Sequence, residues 1–338
     1  MAGAQVGRRG PPAGGWPLRL LAILAIPAPG HPGAWPSWRL AILALPAVAL
    51  PAVARTHPSS LAQMPTRLLP PAGGAQLARA GEIEVLSWPW LEGLGVDAVV
   101  TTRECGVSIG PYRALNLGLH VGDDPDAVAE NRRRAAGALG AGVDDLVFAD
   151  QVHGTRVAVV GARESGRGAR DAADALEGTD ALVTGEPGVV LVTLVADCSP
   201  VLLVDPEARV LATAHAGWRG AVTGTLRAAI AAMATLGARA ERTVAAIGPT
   251  VSPKAYVVGP EVEAAARGAF GAGADEVLWP HGERFRLDVA GANRLQLRAA
   301  GVPDHQISLA PFSSDDGPFF SDRSARPCGR FGLLARLR

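Results

Sequence analysis

The sequence is poor in lysine and in aromatic residues, and its acidic residues are unevenly distributed. Lys254 is the only lysine, and Phe, Trp and Tyr make up 5% of the 338 residues. Residues 1–80 carry seven arginines and no Asp or Glu, which leaves 25 basic and 32 acidic residues in 81–338, a net charge of −7. A nucleic-acid surface needs clustered Lys and Arg to displace counterions. We therefore expect no nucleic-acid partner.

Cysteine is also scarce, and several common motifs are missing. Cys105, Cys198 and Cys328 are odd in number and widely spaced, so no disulfide framework is expected and a reducing, cytoplasmic location is favoured. Neither the GxGxxG dinucleotide motif nor the P-loop motif occurs, which excludes the two usual phosphate-binding loops. The sequence contains no His-x-His pair, although a multicopper oxidase requires many close histidine pairs.

The first 80 residues differ in composition from the remainder. They hold 13 of the 27 prolines and two proline-interrupted apolar runs, at 20–26 and 40–54. Neither run reaches the roughly 18 apolar residues of a membrane span, so no membrane helix is expected. The second run imitates a signal peptide, which keeps secretion as an alternative, but its cleavage site would lie beyond the usual length of roughly 15–30 residues. The preferred interpretation is a disordered leader over 1–80, or upstream sequence before a start at Met64.

Residues 81–338 alternate short apolar runs with helical segments and form the predicted catalytic domain. Three valine-rich runs, 189–195, 201–204 and 209–214, are typical of strands covered on both faces, the last two joined as a hairpin. Other strands are predicted at 98–101, 146–148, 156–160 and 243–247, and helices at 126–139, 221–236, 261–270 and 289–300. The polar, glycine-rich segment 161–178 is expected to be an exposed loop. The pattern predicts a single compact α/β (α+β) domain, with a mixed β-sheet layered with helices.

Three side chains that can bind metal ions follow apolar runs. They are His153 in DQVHG, Cys198 in ADCSP and His215 in AHAGWRG. Because strand ends bring side chains into a shared crevice, two imidazoles and one thiolate could supply three ligands of a tetrahedral zinc site whose fourth position stays open, as in catalytic sites. Taken singly, such a cysteine is more often a buried apolar residue and such a histidine a hydrogen-bonded loop residue. The spacings match no short zinc motif.

The HAGWRG segment also suggests anion binding. Its glycines permit close backbone approach, and the helix predicted from Ala221 would present free N–H groups to an anion. Arg219 could bind phosphate through paired donors; the alternative is a surface arginine beside a core tryptophan. Arg323, after two phenylalanines, is a further candidate to face the site. Tyr256 lies on a Gly- and Pro-rich bend that either lines the crevice or turns the chain.

Other reactive residues lack a supporting pattern. The letters GxSxG occur around Ser108, but a nucleophile elbow needs a strand directly before it and a helix directly after it, and here a long loop continues. Ser108 is therefore interpreted as a loop residue. Cys105 and Cys328 are interpreted as structural, and His120 has no partner in the pattern.

From about Leu86 to the end, the chain resembles the YfiH/YlmD-like proteins, also called the laccase-domain or purine nucleoside phosphorylase family. The resemblance is carried by TTRECGVSIGPYRALNLGLHVGDDPDAVAENR, DQVHG, ADCSPVLLVDPEARVLATAHAGWRG, AIGPTVSPKAYVVGPEV, LDVAGANRLQLRAAGV and FFSDRSARPCGRFG. The combination of ADC with HAGWRG is highly specific.

The resemblance implies a layered α/β fold and a single metal ion, zinc (Zn2+) or else copper (Cu2+), held by His153, Cys198 and His215. It implies phosphorolysis of adenosine, inosine, guanosine and methylthioadenosine, with adenosine deamination as a second activity. Purine nucleosides and inorganic phosphate would then be the partners. A bound divalent ion lowers the pKa of its water toward about 7, which suits deamination, whereas phosphorolysis needs positive groups near the phosphate.

The same motifs supply further candidate site residues. Those for substrate or phosphate are Arg103, Arg219 and Arg323, and those expected to line the site are Asn116, Gln151, Asp197 and Tyr256. The sequence also departs from the family pattern. Cys105 stands where glycine is usual, Thr250 where cysteine is usual, and Asp322 where tyrosine or histidine is usual. These departures leave the three ligands intact but leave substrate preference open.

Other functions are compatible with the same residues. One is a single-copper polyphenol oxidase. Another is a cysteine-dependent hydrolase that edits peptidoglycan precursors, with Cys198 as nucleophile and His215 as base. A nucleotide-sensing module without turnover is the third. The sequence does not decide between a monomer and a homodimer.

Overall fold

The computed structural model describes residues 24–27, 38–41 and 74–338. In the N-terminal part, strand β1 (Leu24–Pro27) pairs antiparallel with β2 (Trp38–Ala41). The predicted disorder of the leader concerns residues that lie mostly outside those described. All remaining elements fall within 74–338, and the first of them begins at Gln76, before the compositional boundary at residue 81.

Seventeen strands and five α-helices are found in the described residues. The remaining strands are β3 (Gln76–Ala80), β4 (Ile83–Ser87), β5 (Val96–Thr101), β6 (Leu146–Phe148), β7 (Val157–Val159), β8 (Ala181–Thr184), β9 (Val190–Val195), β10 (Ser199–Asp205), β11 (Val210–Ala216), β12 (Val244–Ile247), β13 (Val257–Val258), β14 (Leu278–His281), β15 (Arg284–Leu287), β16 (Ile307–Leu309) and β17 (Phe331–Leu337). The helices are α1 (Pro125–Gly137), α2 (Trp218–Thr223), α3 (Thr225–Thr235), α4 (Pro260–Phe270) and α5 (Val289–Ala299).

The strands of 74–338 form two six-stranded mixed sheets and one small antiparallel sheet. The first sheet has the order β3-β4-β5-β17-β9-β6, and the second has the order β16-β12-β10-β11-β8-β7. The small sheet has the order β13-β15-β14. Both large sheets are mostly antiparallel, with one or two parallel pairs at their edges. The predicted α/β (α+β) class with mixed sheets and helices is confirmed.

The two large sheets pack face to face and are covered by helices on their outer faces. Their shared core contains Leu191 and Val195 of β9 together with Leu202 and Leu211 of the second sheet. The opposite face of the first sheet packs against Ala135 and neighbouring residues of α1, and that of the second sheet packs against α3 and α5. Every residue of β9, β10 and β11 is buried, because each strand is covered on both faces.

Local chemistry explains two elements that the sequence predicts. Asp124 accepts a hydrogen bond from the Asp126 N–H and caps α1. In the predicted hairpin, β10 and β11 pair antiparallel, and the Asp205 carboxylate accepts hydrogen bonds from the N–H groups of Glu207 and Ala208 in the turn. Both predictions are confirmed.

The helices, the strands and one loop each show differences from the sequence prediction. The single helix expected over 221–236 is instead α2 and α3, because Gly224 has φ of 104°, a left-handed conformation that interrupts the helix. Strands β3, β4, β8 and β13–β17 were not predicted. The segment 161–178 is partly anchored, since Gly168 and Ala169 within it are buried. In the part of the chain that the structure describes, no helix combines the length and apolarity needed to cross a membrane.

Candidate metal centre and adjoining cavity

His153, Cys198 and His215 converge where the chain passes between the two large sheets. Cys198 lies in the short link from β9 in the first sheet to β10 in the second. His215 lies near the end of β11, opposite Pro200 of β10, and His153 lies in the loop between β6 and β7. The candidate ligand atoms of the three side chains all lie within 4.8 Å of one another. The structure therefore brings together the three residues that the sequence suggests as ligands.

The distances within this cluster fit a small divalent ion. The Cys198 Sγ atom lies 3.7 Å from His153 Nε2, and the rings of His153 and His215 are 4.6 Å apart at 69°. In a tetrahedral zinc site with Zn–S of about 2.3 Å and Zn–N of about 2.0 Å, sulfur and nitrogen ligands are separated by about 3.5 Å. Two nitrogens and one thiolate are a donor set that zinc and copper accept.

Asp180 fixes the orientation of two of the three candidate ligands. Its carboxylate is buried and lies 2.9 Å from His215 Nδ1, which leaves Nε2 of that ring free to bind a metal ion. The same carboxylate accepts hydrogen bonds from the N–H groups of His153 at 2.9 Å and Gly154 at 2.7 Å. In zinc sites, the ring nitrogen of a ligating histidine that does not bind the metal commonly donates a hydrogen bond to such a carboxylate. Asp180 was not predicted from the sequence, because one Asp before a short apolar run carries no spacing signal.

The charges within the cluster favour the thiolate. Burial by itself would raise the pKa of Cys198, but the neighbouring His215 and the hydrogen bonds from both histidines lower it to about 6. Burial likewise would lower the pKa of His215, whereas Cys198 and Asp180 raise it above its ordinary value. Cys198 is therefore ionised at neutral pH, and the thiolate is the form that binds metal ions and acts as a nucleophile.

Gly217 allows the cluster to be this compact. A Cβ atom at this position would lie 2.5 Å from Cys198 Sγ and 3.5 Å from a ring carbon of His153. The close approach inferred from the glycines of HAGWRG thus concerns the candidate ligands Cys198 and His153. Helix α2, which follows Gly217, starts at Trp218 instead of Ala221 and has only six residues. The anion site expected at its N-terminus is therefore supported by fewer than two helical turns.

The cluster opens into a cavity of about 550 Å³, within the range of about 300–1,000 Å³ that is typical of small-molecule sites. Five arginines line the cavity, namely Arg132, Arg219, Arg323, Arg326 and Arg330. Arg219 lies over the ring of Trp218, and Arg323 lies over the ring of Tyr256. Burial, followed by the proximity of Cys198, raises the pKa of Tyr256 to about 12, so its phenol is protonated at neutral pH.

Gln151 and Asp197 line the same cavity and also hold its walls together. The Gln151 amide exchanges two hydrogen bonds with the backbone of Leu194. Asp197, which has φ of 90°, accepts hydrogen bonds from the Ser314 hydroxyl at 2.7 Å and from the Arg323 N–H at 2.6 Å. Both side chains therefore position neighbouring segments of the site.

Two other candidates lie outside the lining of this cavity. The Arg103 guanidinium donates two hydrogen bonds to the carbonyl of Arg113 and stacks over Phe320, so its donors are occupied away from the site. Asn116 is completely buried. Its side chain bonds to Asp123 and accepts the N–H of Arg330, which gives it a structural role in place of the expected lining role.

Several lining residues were not expected from the sequence, and they are Leu119, His120, Arg132, Phe148, Asp150 and Arg330. The inward position of Arg132 is indicated by the helical spacing of its neighbours. Arg132 lies four residues from both Val128 and Ala136, and all three side chains are on the buried face of α1. The run ENRRRAA instead resembles a solvated helix surface.

A protein-family model described as "Multi-copper polyphenol oxidoreductase laccase" matches residues 97–338. The chain belongs to this laccase-domain family. The match covers most of the chain and includes the three clustered candidate ligands, and it confirms the resemblance seen in the sequence.

Related proteins within the laccase-domain family are named for reactions on nucleosides. A Deinococcus radiodurans protein named purine nucleoside phosphorylase is 45% identical over 241 residues, which cover 71% of this chain and 88% of that protein. A protein named adenosine deaminase RL5, from an unknown prokaryotic organism, is 39% identical over 68% of this chain and 88% of its own length. The crystal structure of YlmD from Geobacillus stearothermophilus superposes with a TM-score of 0.74 at 34% identity, covering 79% of this chain and 99% of that one.

Proposed function

We propose that this protein is a metal-dependent purine nucleoside phosphorylase that acts on adenosine, inosine, guanosine and methylthioadenosine, with adenosine deamination as a side activity. The observation that carries the proposal is the His153–Cys198–His215 cluster opening into a cavity with five arginines. The names of the phosphorylase and deaminase relatives support the same two reactions.

The cluster is proposed to hold zinc, with copper as the second choice. When bound, such an ion would act as a Lewis acid and lower the pKa of a bound water to about 7. The role of the protein is to keep Cys198 ionised, to orient His215 through Asp180, and to leave room beside Gly217. The contacts of Asp180 organise the site before any ligand arrives, since its buried carboxylate binds both the His215 side chain and the His153 backbone N–H.

Phosphorolysis places a phosphate next to the ribose of the nucleoside. The bond between ribose C1′ and purine N9 breaks, a bond between C1′ and a phosphate oxygen forms, and the purine leaves with the electron pair and takes up a proton. Arg219 and Arg323 are proposed to bind the phosphate, because both line the cavity and neither forms an ion pair within the described residues. Tyr256 is proposed as a neutral hydrogen-bond donor in the same wall.

The test is release of hypoxanthine from inosine by the purified protein, with and without phosphate and with and without a chelator. We expect release that requires phosphate, yields ribose 1-phosphate, stops with the chelator and returns with zinc. Cys198→Ser should abolish release and lower the metal content. Cys105→Ser should change neither, because Cys105 lies outside the lining of the cavity.

Two results would reject this function in favour of an alternative. Oxygen uptake on a phenol by the copper-loaded protein, without turnover of nucleosides, would indicate the oxidase. Activity on peptidoglycan precursors that survives metal removal but is lost on thiol alkylation would indicate the cysteine hydrolase.

A further inference from the structure

The cavity has a second cationic region, built from residues that the proposed reaction does not yet use. Arg132 of α1, Arg330 just before β17, and His120 all line the cavity. Arg132 also stacks over Phe148 of β6, with its guanidinium carbon 3.9 Å from the ring centre. These residues belong to the first sheet and its covering helix, whereas His215 and Arg219 belong to the second sheet and the helix that follows it.

Arg132 is a buried cation without a carboxylate partner. Its side chain is only 3% exposed. Nε donates to the carbonyl of Leu117, and one terminal nitrogen donates to the carbonyls of Gly168 and Ala169. Carbonyl dipoles solvate the guanidinium but do not neutralise it, and no ion pair with Asp or Glu forms within the described residues. Burial lowers the pKa of Arg132 to about 10, which leaves it charged at neutral pH.

Arg330, which is half-buried and directly precedes β17, also bonds to backbone carbonyl groups. One terminal nitrogen donates to the carbonyls of Cys328 and Gly329, and again no carboxylate among the described residues pairs with it. Leu117 links the two arginines, because its carbonyl accepts from Arg132 and its N–H donates to the carbonyl of Arg330. Leu117 therefore joins the Arg132 side chain to the backbone of Arg330.

The pKa of His120 is affected by the charges of both arginines and of Asp150. Its pKa is lowered first by burial and then by the positive charges of Arg330 and Arg132, while Asp150 opposes them. Arg132, Arg330 and the acidic Asp150 thus all line the cavity together with His120. Because a buried cation without a counter-charge is costly, the buried Arg132, with the half-buried Arg330 on the same cavity, is suited to a bound anion.

We propose that Arg132 and Arg330, with His120 at the edge, form an oxyanion subsite that binds a phosphate group. Each arginine has a terminal nitrogen that makes no hydrogen bond to the described residues, and a planar fork matches the tetrahedral oxygens of phosphate. The phosphate group is either the inorganic ion or the phosphoryl group of a nucleotide. Identifying the inorganic ion as a reactant rests on the proposed function; binding to the subsite does not.

The test measures dissociation constants of inorganic phosphate and of AMP by titration calorimetry on the full-length protein. The variants are Arg330→Gln and Arg132→Lys, the second of which keeps the charge but loses the fork. Loss of a charged hydrogen bond should weaken the affected ligand by at least about tenfold. Arg267→Gln removes an exposed charge of α4 outside the cavity and should leave both constants within about twofold of wild type, as expected for a distant surface charge.

The two ligands separate the sources of the phosphate group. Weaker binding of inorganic phosphate supports a subsite for the free ion, and weaker binding of AMP alone supports a subsite for a nucleotide. Unchanged constants for both ligands in folded variants would overturn the proposal, as would failure of the wild type to bind either ligand. If Arg132→Lys does not fold, Arg330→Gln alone decides the outcome.

Release of base from inosine, measured on the same samples, keeps this result separate from the proposed function. A wild-type protein that binds phosphate but releases no base would refute the phosphorylase function and leave the subsite standing. Base release by the wild type, with dissociation constants for both phosphate and AMP unchanged in the variants, would support the phosphorylase function and refute the subsite.

Discussion

Replacing Asp180 by asparagine tests whether the buried carboxylate organises the metal centre. The carboxylate contacts four donors, namely His215 Nδ1 and the N–H groups of Val152, His153 and Gly154. An asparagine offers one oxygen and one NH₂ group, so at least two of these donors would face a donor instead of an acceptor. The ring of His215 and the loop that carries His153 should therefore both lose their fixed orientation.

The expected loss in metal affinity follows from the role of such partners. Removal of a carboxylate behind a ligating histidine lowers metal affinity by about 10–100-fold, which corresponds to about 1.4–2.8 kcal/mol at 25 °C. The assay is competition for zinc between the protein and a chromophoric chelator, with circular dichroism to check folding. Asp205→Asn is the matched control, because Asp205 is also a fully buried carboxylate that accepts backbone N–H groups, but it lies outside the site. A folded Asp180→Asn protein that binds zinc within about twofold of wild type would refute this reasoning.

Three further outcomes are expected. Gly217→Ala should lower zinc affinity by about tenfold or more, since its Cβ would lie 2.5 Å from the sulfur of Cys198. The control Gly137→Ala, whose Cβ meets no atom within 4 Å, should leave zinc affinity unchanged. Equal metal content in the two variants would contradict this prediction. Arg219→Ala should raise the KM for phosphate about tenfold or more with metal content unchanged, and loss of metal would reject its assigned role. Asp205→Asn should cost about 1–3 kcal/mol of unfolding free energy at pH 7. Burial would raise the pKa of Asp205, but backbone N–H groups and Arg242 hold it below its ordinary value; the wild type should therefore lose this stability as the pH falls below about 4, and the variant should not. Parallel pH profiles in denaturant titrations would refute that assignment.

The sequence predicts the valine-rich strands β9, β10 and β11 because their composition depends on burial, although β17 at the centre of the first sheet was not predicted. Runs such as 189–195 are covered on both faces, so valine and leucine fill them without interruption. Strand β8 was missed because four residues in a glycine-flanked segment give too short a pattern. The break between α2 and α3 was missed for a related reason. A single glycine in an alanine-rich run is compatible with a continuous helix, and its positive φ is set by tertiary contacts.

The site could be predicted only where residue chemistry is distinctive. His153, Cys198 and His215 are rare residue types at the ends of apolar runs, and a family resemblance joins them. The carboxylate of Asp180 and the guanidinium of Arg132 belong to common residue types, and their roles depend on which side chain faces inward. Arg103 and Asn116 illustrate the opposite case, because polar residues in a distinctive loop bind its own backbone and do not face the cavity.

Strand β17 lies at the centre of the first sheet, between β5 and β9. Its Gly332 N–H donates to the hydroxyl of Thr101, 231 positions earlier in the chain. At a synthesis rate of roughly 5–20 residues per second, about 10–50 s pass between the synthesis of β5 and the synthesis of β17. During that interval β3, β4 and β5 present an apolar, unpaired edge, which is a hazard for aggregation. Demand for chaperones should therefore be greatest before β17 is synthesised.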